Sequence, residues 1–216
     1  SLSGQSTLGI SGSNYSKYAE TTHFGGGAVA NSAEGRIGNL NLRGSSFIAE
    51  DTTGLAVGNV RAESVINTYD TESRQSNKST FASSSNYVKS HQEENVASNL
   101  QLGKNAVITG NVEGIGSNIV LGENTFVGGK VTTDSRELHN TYYSEQKQKG
   151  LTGGISQGSV NVGYGKSQNT YDAKSTVNAK SKIQLEDGTV LNNGAEITAT
   201  NIEYGNISIN NGEVKY

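Results

Sequence analysis

The sequence predicts an all-β chain wound as a parallel β-helix, a solenoid of ~19-residue coils with polar β-hairpin excursions projecting between them. Three observations carry this. Residues recur at a lag of 19, the recurring units hold short β-branched runs split by Gly or Asn, and the chain is too poor in apolar residues for one compact core. Of 216 residues, 98 are Gly, Ser, Asn or Thr and only 45 are Leu, Ile, Val or Phe. That apolar share lies just above the roughly 20% below which a highly charged chain stays disordered, and the net charge here is only −3. Pro is absent, which disfavours an extended linker. Stacked repeats need few apolar residues per layer, because neighbouring layers cover one another.

The repeat is explicit at residues 99–112 against 118–131, where six of fourteen positions are identical: Asn99, Leu102, Gly103, Asn105, Gly110 and Val112. Lys182-Ile183-Gln184-Leu185 matches Asn201-Ile202-Glu203-Tyr204 at the same lag of 19, and Asn39-Leu40 matches Asn59-Val60 at 20. Leu100-x-Leu102, Val107-Ile108 and Val112 mark three short strands per unit, their apolar side chains inward and Gln101 outward. Gly103 and Asn105 suit corners where φ turns positive. Stacking would place Asn99 over Asn118 and Asn105 over Asn124 in amide ladders. A leucine-rich repeat would need more leucine and a helical return. A β-sandwich with similar strands is the remaining alternative.

The coils fall in pairs at about 36–66, 98–138 and 181–214, separated by excursions at about 1–35, 67–97 and 140–180. The last two excursions open on Asn67-Thr68-Tyr69 and Asn140-Thr141-Tyr142, a lag of 73. Leu8-Gly9-Ile10-Ser11-Gly12 is similar to Gly154-Ile155-Ser156-Gln157-Gly158, so residues 1–35 read as the back half of a further excursion. Strand-like alternation at Ser159–Lys166 and the Gly-rich middle predict long β-hairpins, with mobile loops as the alternative. Lys147-Gln148-Lys149 reads as a solvated hairpin edge that blocks unwanted pairing.

Catalytic, metal and cofactor sites are not expected. Cys is absent, so thiolate ligands and thiol nucleophiles are excluded. Asp51, Asp70, Asp134, Asp172 and Asp187 share no motif, and adjacent pairs such as Glu93-Glu94 point to opposite faces of a strand. His23, His91 and His139 read as isolated, and Gly25-Gly26-Gly27 lacks the strand and helix of a phosphate loop. No run approaches the ~20 apolar residues of a membrane helix. No signal peptide is visible at Ser1-Leu2-Ser3-Gly4, so the chain reads as a piece of something longer. A pI near 5.7 without basic clusters argues against nucleic acid as a partner. The binding candidates are tyrosines of the excursions: Tyr69, Tyr87, Tyr142, Tyr143, Tyr164 and Tyr171, with Tyr15 and Tyr18. Their rings beside Ser, Asn and Gln suit a glycan or a protein partner. Alternatively they pack the hairpins.

The order of coil units Asn39–Ala49, Asn99–Val112 and Asn118–Val131 with Asn-Thr-Tyr excursions resembles the haemagglutinin-repeat region of two-partner-secretion exoproteins. That family includes filamentous haemagglutinin-type adhesins and contact-dependent growth inhibition effectors. The resemblance implies a right-handed β-helix, an outer-membrane β-barrel secretion partner for the full-length protein, and display on a Gram-negative cell surface. The family's Asn-Pro secretion motifs are missing, since the chain has no Pro. The expectation is a non-enzymatic segment of an adhesive display filament that meets a host or bacterial surface receptor or glycan. Toxin delivery through a target outer membrane and a polysaccharide-active β-helix enzyme are the competing readings.

Overall fold

The computed structural model describes residues 3–7, 10–21 and 26–216. The chain is all-β, 75% strand, with no helix among the described residues. Leu8-Gly9 of the proposed excursion match, His23 and Gly25 lie outside the described residues.

The strands run β1 Ser3–Thr7, β2 Ile10–Thr21, β3 Gly27–Ser32, β4 Gly35–Arg43, β5 Ser46–Asp51 and β6 Leu55–Glu63. Two long strands follow, β7 Val65–Lys78 and β8 Ala82–Val96. Then come β9 Asn99–Leu102, β10 Val107–Ile108, β11 Val112–Ile115, β12 Asn118–Leu121, β13 Phe126–Val127 and β14 Val131–Asp134. After β15 Arg136–Ser156 and β16 Ser159–Ala179 the chain closes with β17 Ser181–Leu185, β18 Val190–Leu191, β19 Ala195–Ile197, β20 Thr200–Tyr204, β21 Ser208–Ile209 and β22 Val214–Lys215. They divide into two compact units: the described residues of 1–21, 68–93 and 139–176, and those of 22–67, 94–138 and 177–216.

The second unit is built of parallel ladders. One sheet has the order β20-β17-β12-β9-β5-β3. Its register stacks Asn118 on Asn99, Lys182 on Asn118 and Asn201 on Lys182. The other stacks β21, β18, β13 and β10 on the first half of β6, and β22, β19, β14 and β11 on its second half, with β4 beneath. Within the strands, the pairs proposed from the 19- and 20-residue lags are direct ladder partners, including Asn99 with Asn118, Val107 with Phe126, Val112 with Val131 and Asn39 with Asn59. The parallel stacking begins at Gly27, which pairs with Ser46, upstream of the boundary near residue 36 read from the sequence.

The core follows from alternation. Leu100, Ile119 and Ile183 form one buried column, Leu102, Leu121 and Leu185 the next, and Ile108, Val127 and Leu191 a third. Each column repeats one shape, so β-branched and leucine side chains interdigitate between layers ~4.8 Å apart. Buried polar columns complete it. Ser98 accepts no solvent; its amide donates to Ser117 Oγ (3.2 Å), whose own amide donates to Ser181 Oγ (3.0 Å). The hydroxyls of Ser98 and Ser181 donate to the carbonyls of Glu63 and Asp134 at 2.7 and 2.5 Å, so every turn of the column is satisfied.

The corners divide the two roles predicted for them. Asn105 and Asn124 have φ of 62° and 58°, the left-handed region. Gly103 does not; its glycine is required because a Cβ would strike the Glu50 carbonyl of the neighbouring layer. The Asn99–Asn118 amide ladder forms at 2.8 Å. The Asn105–Asn124 ladder does not form among the described residues, because Asn105 Nδ2 donates to Thr53 Oγ1 at 2.9 Å.

The first unit is a six-stranded sheet of order β1-β2-β7-β8-β15-β16. β2 pairs antiparallel with β7, and β8 with β15. The predicted hairpins exist, yet they are not separate: each excursion is hydrogen-bonded to the next along its length. β7 turns into β8 where Ser79 N donates to Ala82 O at 2.8 Å. β15 turns into β16 at Gln157-Gly158, with φ of 48° and 81°, the two left-handed residues of a tight hairpin turn. The turn therefore falls beyond Gly153-Gly154. Lys147-Gln148-Lys149 is not a hairpin edge either; β15 lies between β8 and β16.

Candidate functional site

Successive side chains of a strand leave by opposite faces, and a few contacts fix which set leaves by which. Arg74 lies over the Tyr87 ring at 4.7 Å from its centroid, His91 Nδ1 is 2.5 Å from Asp70 Oδ1, and the rings of Tyr87 and Tyr143 meet edge-on at 5.8 Å. These place residues 70, 74, 87, 91 and 143 on one face. Thr71 bonds Ser90, and Tyr142 meets Tyr171 edge-on at 5.9 Å, so 71, 90, 142 and 171 share the other.

The alternation then sorts long stretches of β7, β8 and β15 by charge, while Glu20 of β2, opposite Tyr69, stands on the second face. The first face carries Lys17, Asp70, Glu72, Arg74, Lys89, His91, Glu93, Glu145 and Lys147. The second carries Tyr69, Thr71, Ser73, Gln75 and Asn77 from β7. From β8 it takes Ala82, Ser84, Asn86, Val88, Ser90 and Gln92, and from β15 Asn140, Tyr142, Ser144, Gln146, Gln148 and Gly150. No ionisable carboxylate, amine or guanidinium stands on these three stretches of the neutral face.

Several charges of the first face are paired with one another. Arg74 bonds Glu72 at 3.4 Å and Lys147 bonds Glu145 at 2.6 Å. Tyr143 donates its hydroxyl proton to Glu145 at 3.0 Å, a bond that raises the phenol's pKa. Lys147 and Tyr143 together hold the Glu145 carboxyl below its usual range. His91 stands between Asp70 and Glu93, and its pKa is raised, first by the hydrogen bond to Asp70. It is not isolated, as the sequence reading had it. The two carboxylates take different ring nitrogens, so the three groups do not converge on one point. Among the described residues no cluster of three or more His, Asp or Glu can hold a metal ion.

The neutral face is paired only in part, by Thr71 with Ser90 and by Asn140, which accepts from the Glu93 amide. Gln75, Ser84, Asn86, Gln146 and Gln148 make no side-chain hydrogen bond to any described residue. They surround a cleft of about 140 Å³. Through Asn77, Ser84 and Gln148 it adjoins a cleft of about 540 Å³ whose wall includes Ala82, Gly150, Thr152, Gly165 and Ser167.

The predicted tyrosines divide between the faces. Tyr69, Tyr142 and Tyr171 belong to the neutral face and Tyr87 and Tyr143 to the charged one. Tyr164 lines a hollow with Phe81, Lys149 and Leu151 that adjoins the larger cleft through Lys78, Ser79 and Ala82. Tyr142 and Tyr171 are 42% and 60% exposed, so rings that touch still offer surface to a ligand. The sequence reading missed the amides. Their signal was present in Ser144-Glu145-Gln146-Lys147-Gln148-Lys149, where neutral and charged residues alternate with the period of a strand.

Comparison with family models, with curated proteins and with solved structures yields no match to the chain.

Proposed function

We propose that the chain is a non-enzymatic repeat segment of a large secreted cell-surface exoprotein of a Gram-negative bacterium, the display stalk of an adhesin in cell–cell or host attachment. On this reading the second unit is a right-handed parallel β-helix of 19-residue coils, and the excursions carry the contact surface. The observation that carries it is the register: strands in successive three-strand sets pair with their equivalents, 19 residues on within a pair of coils (Asn99 with Asn118) and 53 or 64 residues on where a long excursion intervenes (Ser46 with Asn99, Asn118 with Lys182). A stack with that rule extends by adding identical layers, which suits a stalk. The resemblance to haemagglutinin repeats supports the same reading, with an outer-membrane β-barrel as the export partner of the full-length protein.

The test is deletion of residues 67–97 or 140–180 from the full-length exoprotein, followed by measurement of cell attachment and of toxin transfer. Lost attachment with unchanged secretion supports the adhesive role. Intact attachment with lost killing of neighbouring cells would replace it with toxin delivery, and release of products from acidic polysaccharides would replace it with an enzyme.

A further inference from the structure

We infer that the neutral face of the six-stranded sheet is a binding site for an uncharged oligosaccharide, seated along the paired clefts between β7, β8, β15 and β16. The inference names a ligand class for the adhesive surface proposed above and rests on that reading for its biological setting.

Three observations converge on it. The first is the sorting of charge along β7, β8 and β15: the stretches 69–77, 82–92 and 140–150 hold no carboxylate or amine on this face, whose nearest charge on β2 is Glu20 opposite Tyr69. The lysines that line the clefts, Lys147 in the smaller and Lys78, Lys149 and Lys166 in the larger, belong by alternation to the other face, so an uncharged hydroxyl ligand matches this stretch better than an acidic glycan. The second is hydrogen-bonding capacity. Gln75, Asn86, Gln146 and Gln148 each offer an amide carbonyl and an amide NH2 that no described residue uses. A sugar hydroxyl is likewise both donor and acceptor, so paired amide groups can hold neighbouring hydroxyls from both sides. The third is shape. Gly150 and Gly165 leave the floor of the larger cleft bare, and its volume of about 540 Å³ is that of an ordinary small-ligand site. Farther along the same face of β15 and β16, beyond the residues that line the clefts, Tyr142 and Tyr171 supply exposed ring surface for the C–H faces of a longer sugar.

A second protein is the poorer occupant. Protein interfaces place apolar anchors at the centre and charge at the rim, and this face has neutral amides at the centre.

The alternation supplies its own control, because neighbouring residues of the same strands serve opposite faces. Purified chain is titrated with neutral hexasaccharides (cello-, chito- and manno-oligosaccharides) and with heparin and oligogalacturonate. Variants are Gln146→Ala/Gln148→Ala and Tyr142→Ser on the neutral face, and Lys89→Ala/Glu145→Ala on the charged one, with melting temperature recorded for each. The expected result is saturable binding of at least one neutral sugar and none of the acidic ones. Affinity should fall at least tenfold in the neutral-face variants at unchanged melting temperature, and stay within twofold in the charged-face variant. Binding of no neutral sugar overturns the inference, as does preference for the acidic ones or equal loss from both faces. So does a concentration-dependent dimer abolished by Gln146→Ala/Gln148→Ala, which would assign the face to a second copy. If sugar binding fails while deletion of 140–180 still abolishes attachment, the ligand class falls and the adhesive reading stands. Sugar binding without any attachment defect has the opposite meaning.

Discussion

At the scale of single residues, two side chains make claims that can be tested without a ligand. His91 holds a pKa raised above its ordinary 6.5 by Asp70 and Glu93, so the folded state binds its proton more tightly than the unfolded one does. The stabilisation is complete below the unfolded pKa and is lost as pH rises through the raised value. Denaturant midpoints should therefore fall from mildly acidic to mildly alkaline buffer, and His91→Gln should flatten that slope; an unchanged slope in the variant would locate the dependence elsewhere. Asn124 sits at φ 58°. Asn124→Ala should cost about 1–2 kcal/mol, the penalty of the left-handed region for an ordinary side chain, while Asn124→Gly should cost much less. The sequence announced the corner through its recurring Asn. It could not announce that Asn105 would bond Thr53 rather than Asn124, because Thr53 lies in a layer 52 residues earlier.

At the scale of elements, the two kinds of strand are stabilised differently. In the parallel ladders the short strands gain from buried columns, so Ile119→Ala, at 1% exposure, should destabilise the second unit by about 2–5 kcal/mol. In the long strands the corresponding terms are cross-strand pairs worth roughly 0.2–1 kcal/mol each. Arg74→Ala, which removes the Glu72 ion pair and the Tyr87 ring contact, should cost no more than about 1 kcal/mol by denaturant titration. The ladders were legible because layered repeats leave a lag in the sequence. The lateral joining of excursions was not, since β2 with β7 and β8 with β15 pair polar stretches that share no repeat. The Asp70–His91 contact was hidden for the same reason: it needs the turn at residues 79–82 to set the register.

At the scale of the whole molecule, the units differ in what resists opening. The second encloses a continuous apolar core from Leu42 to Ile197. In the first, among the described residues, no side chain is fully buried. Hydrogen exchange should thus find amides of β9, β12 and β17 slower by orders of magnitude than those of β7, β8 and β15. Equal protection of the two sets would show that something beyond strand pairing supports the polar sheet.

The register carries one more consequence. Ser46 meets Asn99 in the ladder although 53 residues separate them, where Asn99 meets Asn118 after only 19. Closing the longer loop costs only about 0.9 kcal/mol more than the shorter one. The corner after each completed layer is therefore a socket, where evolution or an engineer can exchange one cassette for another of different length and chemistry while the framework beneath keeps its phase.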